Sequence, residues 1–148
     1  PRSHAATQLM TRREAILAAV RSALTGTTGV GTRIYRNRAE PMARAESPAI
    51  VVEPVTDIAD QNTSLPTLDW TLRIRVVVIS RSLIADQAAD PTIESLHAKL
   101  MADLTLGGLS IDVQPAQVSF DFVEADVPAA VISCEFDIRY RTSVSSLT

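Results

Sequence analysis

The sequence predicts an α+β domain, with two amphipathic helices packed on a mainly antiparallel twisted β-sheet in the order αβββαβββ, and with long projecting loops. Three observations predict it. Ile16, Leu17, Val20 and Leu24 recur at helical spacing, and so do Ile93, Leu96, Leu100, Met101 and Leu104. Residues 67–80 and 130–141 instead alternate apolar and polar with a period of two, the mark of a strand with one covered face. Turn-rich stretches separate these segments.

The elements follow in chain order. Residues 1–10 have no period and read as a loose arm. Thr11-Arg12-Arg13-Glu14 has capping-box spacing, opening a helix over 11–25 that Gly26 is placed to end. Thr32–Arg38 reads as a short strand with Arg33, Tyr35 and Asn37 on one face, and residues 39–47, which contain Pro41, as a loop. Pro48–Pro54 reads as a buried strand bracketed by prolines, and residues 55–66 as a second long loop. In residues 67–80, Leu68, Trp70, Leu72, Ile74, Val76 and Val78 share one face; at about 3.3 Å per residue such a strand runs about 45 Å and projects beyond an ordinary core. Asp90-Pro91 supplies a cap and a first-turn proline for a helix over 91–104, and Gly107-Gly108 turns the chain. Short strands over 109–113 and 118–123 precede the long alternating strand 130–141. Residues 11–142 thus read as one domain, and 143–148 as a C-terminal tail.

Composition narrows the function. The chain has 148 residues, 46% of them hydrophobic and 21% charged, enough for one real core. The formal charge of −3 argues against a generic nucleic-acid binder. That sum conceals a division. Residues 1–48 carry eight arginines against three glutamates, a net of +5, whereas residues 49–148 carry six basic against fourteen acidic side chains, a net of −8. Complementary charge within one chain favours head-to-tail self-association, and such a contact makes a ring when it closes. The longest aliphatic runs, such as Val76–Ile79, fall far short of a membrane span. The Arg-rich first 24 residues superficially suggest an organellar transit peptide but read better as arm and first helix.

Residue chemistry points away from catalysis. Cys134 is the single cysteine, which excludes an intrachain disulfide; it lies on the inward face of its strand and reads as a buried, inert thiol. His4 falls in the arm, and His97 borders the apolar stripe of the second helix. Two histidines, one cysteine and scattered carboxylates give no metal-ligand spacing. The glycines of residues 26–31 follow a helix and precede a strand, the reverse of a phosphate-binding loop, and no Lys-Ser/Thr follows them. No catalytic residue, metal or cofactor is expected. Loops and free charges are left as the candidate contact surfaces for another subunit or a partner: Arg33, Arg36, Arg38 and Arg44 on the basic side, Asp57, Asp60 and Asp69 around the second loop, Arg73 and Arg75 on the long strand, and Asp121 and Glu135 on the acidic side.

The arrangement has a likeness. The Arg-bearing helix Arg13–Leu24, the segment Thr32–Arg36 leading to Ser47–Val52, the strand Trp70–Ile79, the turn Leu104-Thr105-Leu106-Gly107-Gly108-Leu109 and the closing Phe136–Thr142 resemble, in order and spacing, the tail terminator family of long-tailed bacteriophages. The resemblance implies a structural virion protein, a ring of six copies capping the head-proximal end of the tail tube. Such a ring ends tube polymerisation and offers a docking face to the head-neck connector, while genomic DNA passes through its lumen without sequence-specific binding. It implies host cytoplasm during assembly and the tail-neck region of the virion afterwards, with no membrane. Another neck or tail-completion subunit shares the same size and acidity, and a small cytoplasmic ligand-binding domain or enzyme is the alternative from a different class.

Overall fold

A computed structural model describes residues 10–37, 47–62, 64–124 and 127–148 of the chain. It is an α+β fold of two helices, α1 (Arg12–Ala23) and α2 (Ala85–Met101), with five strands, β1 (Ile34–Arg36), β2 (Ala49–Asp60), β3 (Thr67–Arg81), β4 (Asp112–Val123) and β5 (Ala129–Ser143). The sheet order is β1-β2-β3-β5-β4, with β1 parallel to β2 and every other pairing antiparallel.

Helix α1 begins as its sequence dictates. The Thr11 hydroxyl accepts the Glu14 amide at 3.1 Å, and Leu24 closes the helix by donating its amide to Val20. Glu14 does not return to the cap; its carboxylate turns outward to Arg36 at 3.2 Å. Gly26 follows with φ +86°, a conformation a side chain would resist.

Five expectations are corrected. The predicted loop 55–66 is mostly strand: β2 continues to Asp60 alongside β3, so what projects is a hairpin whose described tip residues are 61–62 and 64–66. Pro54 does not end β2, because it lies beyond the last β1 pairing, at Val52, and at the register shift between Pro54 and Thr56, a setting where the missing N–H is tolerated. The order is αβββαββ, since Leu109–Ile111 are not strand and residues 112–113 and 118–123 belong to one strand, β4, carried across Pro115 by a second register shift. Helix α2 begins six residues before Pro91 and encloses it; the carbonyl deprived of a donor belongs to exposed Gln87, where water can take the place of the lost bond. Strand β1 is also shorter than 32–38, since Asn37 enters the left-handed region at φ 50°.

The core lies between the helices and one face of the sheet. Ile16, Leu17 and Val20 of α1 and Leu96 and Leu100 of α2 meet Ile50 and Val52, Leu72 to Val78 at alternate positions, and Ile132 to Tyr140 at alternate positions. Helix α1 packs over β2, and α2 over β3 and β5. The β3–β5 ladder runs from Thr67↔Ser143 to Arg81↔Ala129, but burial on β3 is complete only from Leu72 onward. The first rungs, with β2 beyond Val55, extend past the helices.

Replacing Leu96 by Ala should therefore lower unfolding stability by about 2–5 kcal/mol in urea titration. Ile58→Ala, on the projecting hairpin and 64% exposed, should change it by less than about 0.5 kcal/mol.

Candidate functional site

The sheet face away from the helices carries a ladder of charges from Asp69 and Arg141 to Arg75 and Glu135, beyond which it is apolar at Ala49, Val51 and Val77, and the ladder takes up several of the predicted contact residues within the chain. Arg73 forms a two-pronged pair with Asp137 at 2.9 and 3.0 Å. Arg75 meets Glu53 at 3.1 Å, and both arginines stand 3.8 Å from Glu135, whose side chain is only 9% exposed. Arg139 holds Asp112 at 2.8 and 3.0 Å, and Arg141 holds Asp69 at 2.6 Å. The hydrogen bond from Arg141, helped by Asn62, keeps the Asp69 carboxyl below the usual carboxylate range, and the bond from Arg139 does the same for Asp112. These residues stiffen a flat, mixed-sign surface.

Asp57 ties the base of the hairpin to helix α1. Its Oδ2 accepts from Arg13 Nε at 2.7 Å and from the Tyr140 hydroxyl; its Oδ1 is buried with no hydrogen-bond partner. The Arg13 guanidinium lies 5.9 Å from the Trp70 ring centre, Trp70 stacks on Tyr140 at 6.1 Å and 11°, and its indole N–H donates to Thr142 at 2.9 Å. Burial first, and then the bond to Asp57, push the Tyr140 hydroxyl well above its ordinary pKa, so it remains a donor at any physiological pH. Sequence reasoning found Asp57 but missed its partners, because Arg13 and Tyr140 meet only once the chain has folded.

The remaining predicted residues lie toward the margins. Arg33 donates to the carbonyls of Gly29 and Pro48, which fix its guanidinium without cancelling its charge. Arg36 pairs with Glu14. Asp60 and Asp121 are exposed. Arg38 and Arg44 lie outside the described residues.

The margin formed by β4 is what the sequence did not foretell. Val118, Phe120 and Phe122 sit opposite Cys134, Ile132 and Ala130, on the face the helices cover, yet α2 leaves them largely exposed. Phe120 is 55% exposed and Phe122 63%. Between α2 and β4 runs a groove of about 310 Å³, lined by Ile93, His97, Pro115, Val118 and Phe136. Cys134 also lines it, with its thiol pushed up to about 11 by burial, the reverse of what an attacking thiolate needs. Among the described residues no group of three His, Cys, Asp or Glu side chains is placed to hold a metal ion. The geometry offers surfaces for contact.

Because Asp69 and Asp112 are more acidic in the folded chain than in the unfolded one, their contribution is complete above the unfolded value of about 3.9 and is lost as pH falls through the lower folded values. Melting temperature should drop between about pH 5 and pH 2, and Asp112→Asn should reduce that dependence. Asp57→Ala should cost about 1–3 kcal/mol at neutral pH, measured by urea unfolding.

No protein-family model matches this sequence, and no curated protein does. The fold itself is shared with a solved structure. A chain from the virion of a native gene transfer agent particle superposes with a TM-score of 0.63, covering 86% of this chain and 95% of that one at 14% identity. At that identity the likeness is one of fold: the arrangement of helices and sheet described above is similar to that of a protein built into a virion.

Proposed function

We propose that the protein is a structural virion subunit, a tail terminator that forms a ring, of six copies by the family resemblance, on the head-proximal end of the tail tube. The observation that carries this reading is the likeness, over nearly the whole of both chains, to a chain of a gene transfer agent virion. The sequence resemblance to tail terminators supports it independently. So does the distribution of chemistry: the described charges build a stiff surface and the apolar excess lies on an open margin, as suits a subunit held by neighbours. In this reading the partners are further copies of the chain, the tail tube protein and the head-neck connector. DNA passes through the lumen without base recognition. The subunit is made in the host cytoplasm, ends in the tail-neck region of the virion and performs no catalysis.

The decisive experiment compares, by negative-stain microscopy, particles assembled with and without this protein. Without it, tubes of uncontrolled length are expected, and adding purified protein to growing tubes should shorten them. Tails of normal, uniform length in its absence would overturn the terminator reading. Normal-length tails left unattached to heads would transfer the assignment to another neck or tail-completion subunit.

A further inference from the structure

Among the described residues the two margins of the sheet are opposite in charge. At the β1 margin, Arg21 and Arg36 line a groove between α1 and β1 on the helix side, with Ala18 and Ile34 at its floor. Arg33, which precedes Ile34 in a tight turn, is tied at the same margin to the carbonyls of Pro48 and Gly29, contacts that leave its charge uncancelled. Arg21 is fixed by donating to the Ile34 carbonyl at 3.1 Å, a contact that leaves its positive charge uncancelled. At the opposite margin Asp86 and Asp90 of α2 border the apolar surface of Val118 and Phe120 on the helix side. Asp121, opposite Val131, lies on the far side. Among the described residues none of these three acids has an ion-pair partner. Arginines at one margin thus stand against unpaired acids at the other, although Arg36 is already met by Glu14.

The geometry points to the β4 margin as a docking site for the β1 margin of a second copy of this chain, in a head-to-tail contact. Placing copies side by side along the direction of strand order sets Arg21 against Asp86 and Asp90, with Arg36 beside it already met by Glu14, and brings Arg33 toward the margin that carries Asp121. The same placement covers the exposed stripe of Val118, Phe120 and Phe122 with exposed Ala18 and the aliphatic stems of the arginines. The alternative self-contact, two β4 edges paired about a two-fold axis, brings Asp121 and Glu124 of one copy toward those of the other and is opposed by like charge. A head-to-tail contact leaves each copy with one margin still open, so it continues until it closes. It also relieves the hazard of a long apolar edge strand. The inference rests on the proposed ring for its biological setting, but it is read on the purified chain alone.

The test uses two charge-reversed variants of the full chain, one carrying Arg21→Glu and Arg33→Glu, the other Asp90→Lys and Asp121→Lys, in sedimentation velocity at tens of micromolar, with circular dichroism and thermal melts to verify folding. The unmodified chain should assemble, and rising salt should dissociate it. Each variant alone should associate roughly tenfold more weakly or worse, and an equimolar mixture should recover assembly, because each supplies the margin the other has lost. Phe120→Ser, at an exposed position, should weaken assembly without lowering the melting temperature. A monomeric unmodified chain, a basic-margin variant that assembles normally, a mixture of two folded variants that fails to recover, or undiminished assembly by Phe120→Ser would each overturn the proposal. Reversed variants that still set tail length would sink this docking surface and leave the terminator reading standing. Assembly through these margins with no effect on tubes would do the opposite.

Discussion

The pairing of β3 with β5 is the constraint on which the rest of the molecule depends. Their ladder spans fifteen rungs, from Thr67↔Ser143 to Arg81↔Ala129, roughly twice what an ordinary strand pair supplies. One face of that ladder provides the central apolar strip onto which both helices settle. The other provides Arg73, Arg75, Glu135 and Asp137 in register for their ion pairs. Since the helices cover only part of the length, the excess emerges as the projecting hairpin. Since they cover only part of the width, the excess emerges as the bare β4 margin.

Exposed ion pairs of this kind each contribute little, and their number is no measure of stability. Their contribution is to geometry. Crossed pairs among β2, β3, β5 and β4 hold four strands in one register along the charged part of the sheet's open face. The Asp57 cluster has a similar part at right angles to the sheet, where it fastens the first helix to the base of the hairpin through Arg13 and Tyr140. An orientation set by packing alone becomes one set by directional bonds.

Much of the fold was legible because its signals are local. The Thr11–Glu14 cap, the apolar stripe of α1 and the strict alternation along β3 and β5 each state their own element. What escaped was decided elsewhere in the chain. Polar residues 55–60 became strand because β3 offered an unsatisfied edge to pair with, and Pro91 entered a helix because an upstream turn was already committed. Val118, Phe120 and Phe122 have the alternation of a covered face; whether a helix reaches that far is a question of width, which no local pattern records. Among the candidate contacts, sequence named charges correctly as charges, but it could not separate those satisfied across strands, such as Asp69 and Arg73, from those left outward, such as Asp121.

The long ladder also orders events in time. Its partners are distant in sequence: Arg73 and Asp137 are 64 positions apart, Trp70 and Thr142 72. Chain closure over such separations is slow, and proteins rich in these pairings fold late compared with helical ones. During synthesis the β2–β3 hairpin emerges with one flank of its central strand unpaired, and that flank waits until β5, the last strand of the sheet, has left the ribosome. The apolar side chains of β3 are exposed throughout that interval. The chain thus passes through a stage in which its most aggregation-prone strand is open, and the concentration of nascent chains, more than the stability of the finished domain, governs how much of it reaches the folded state.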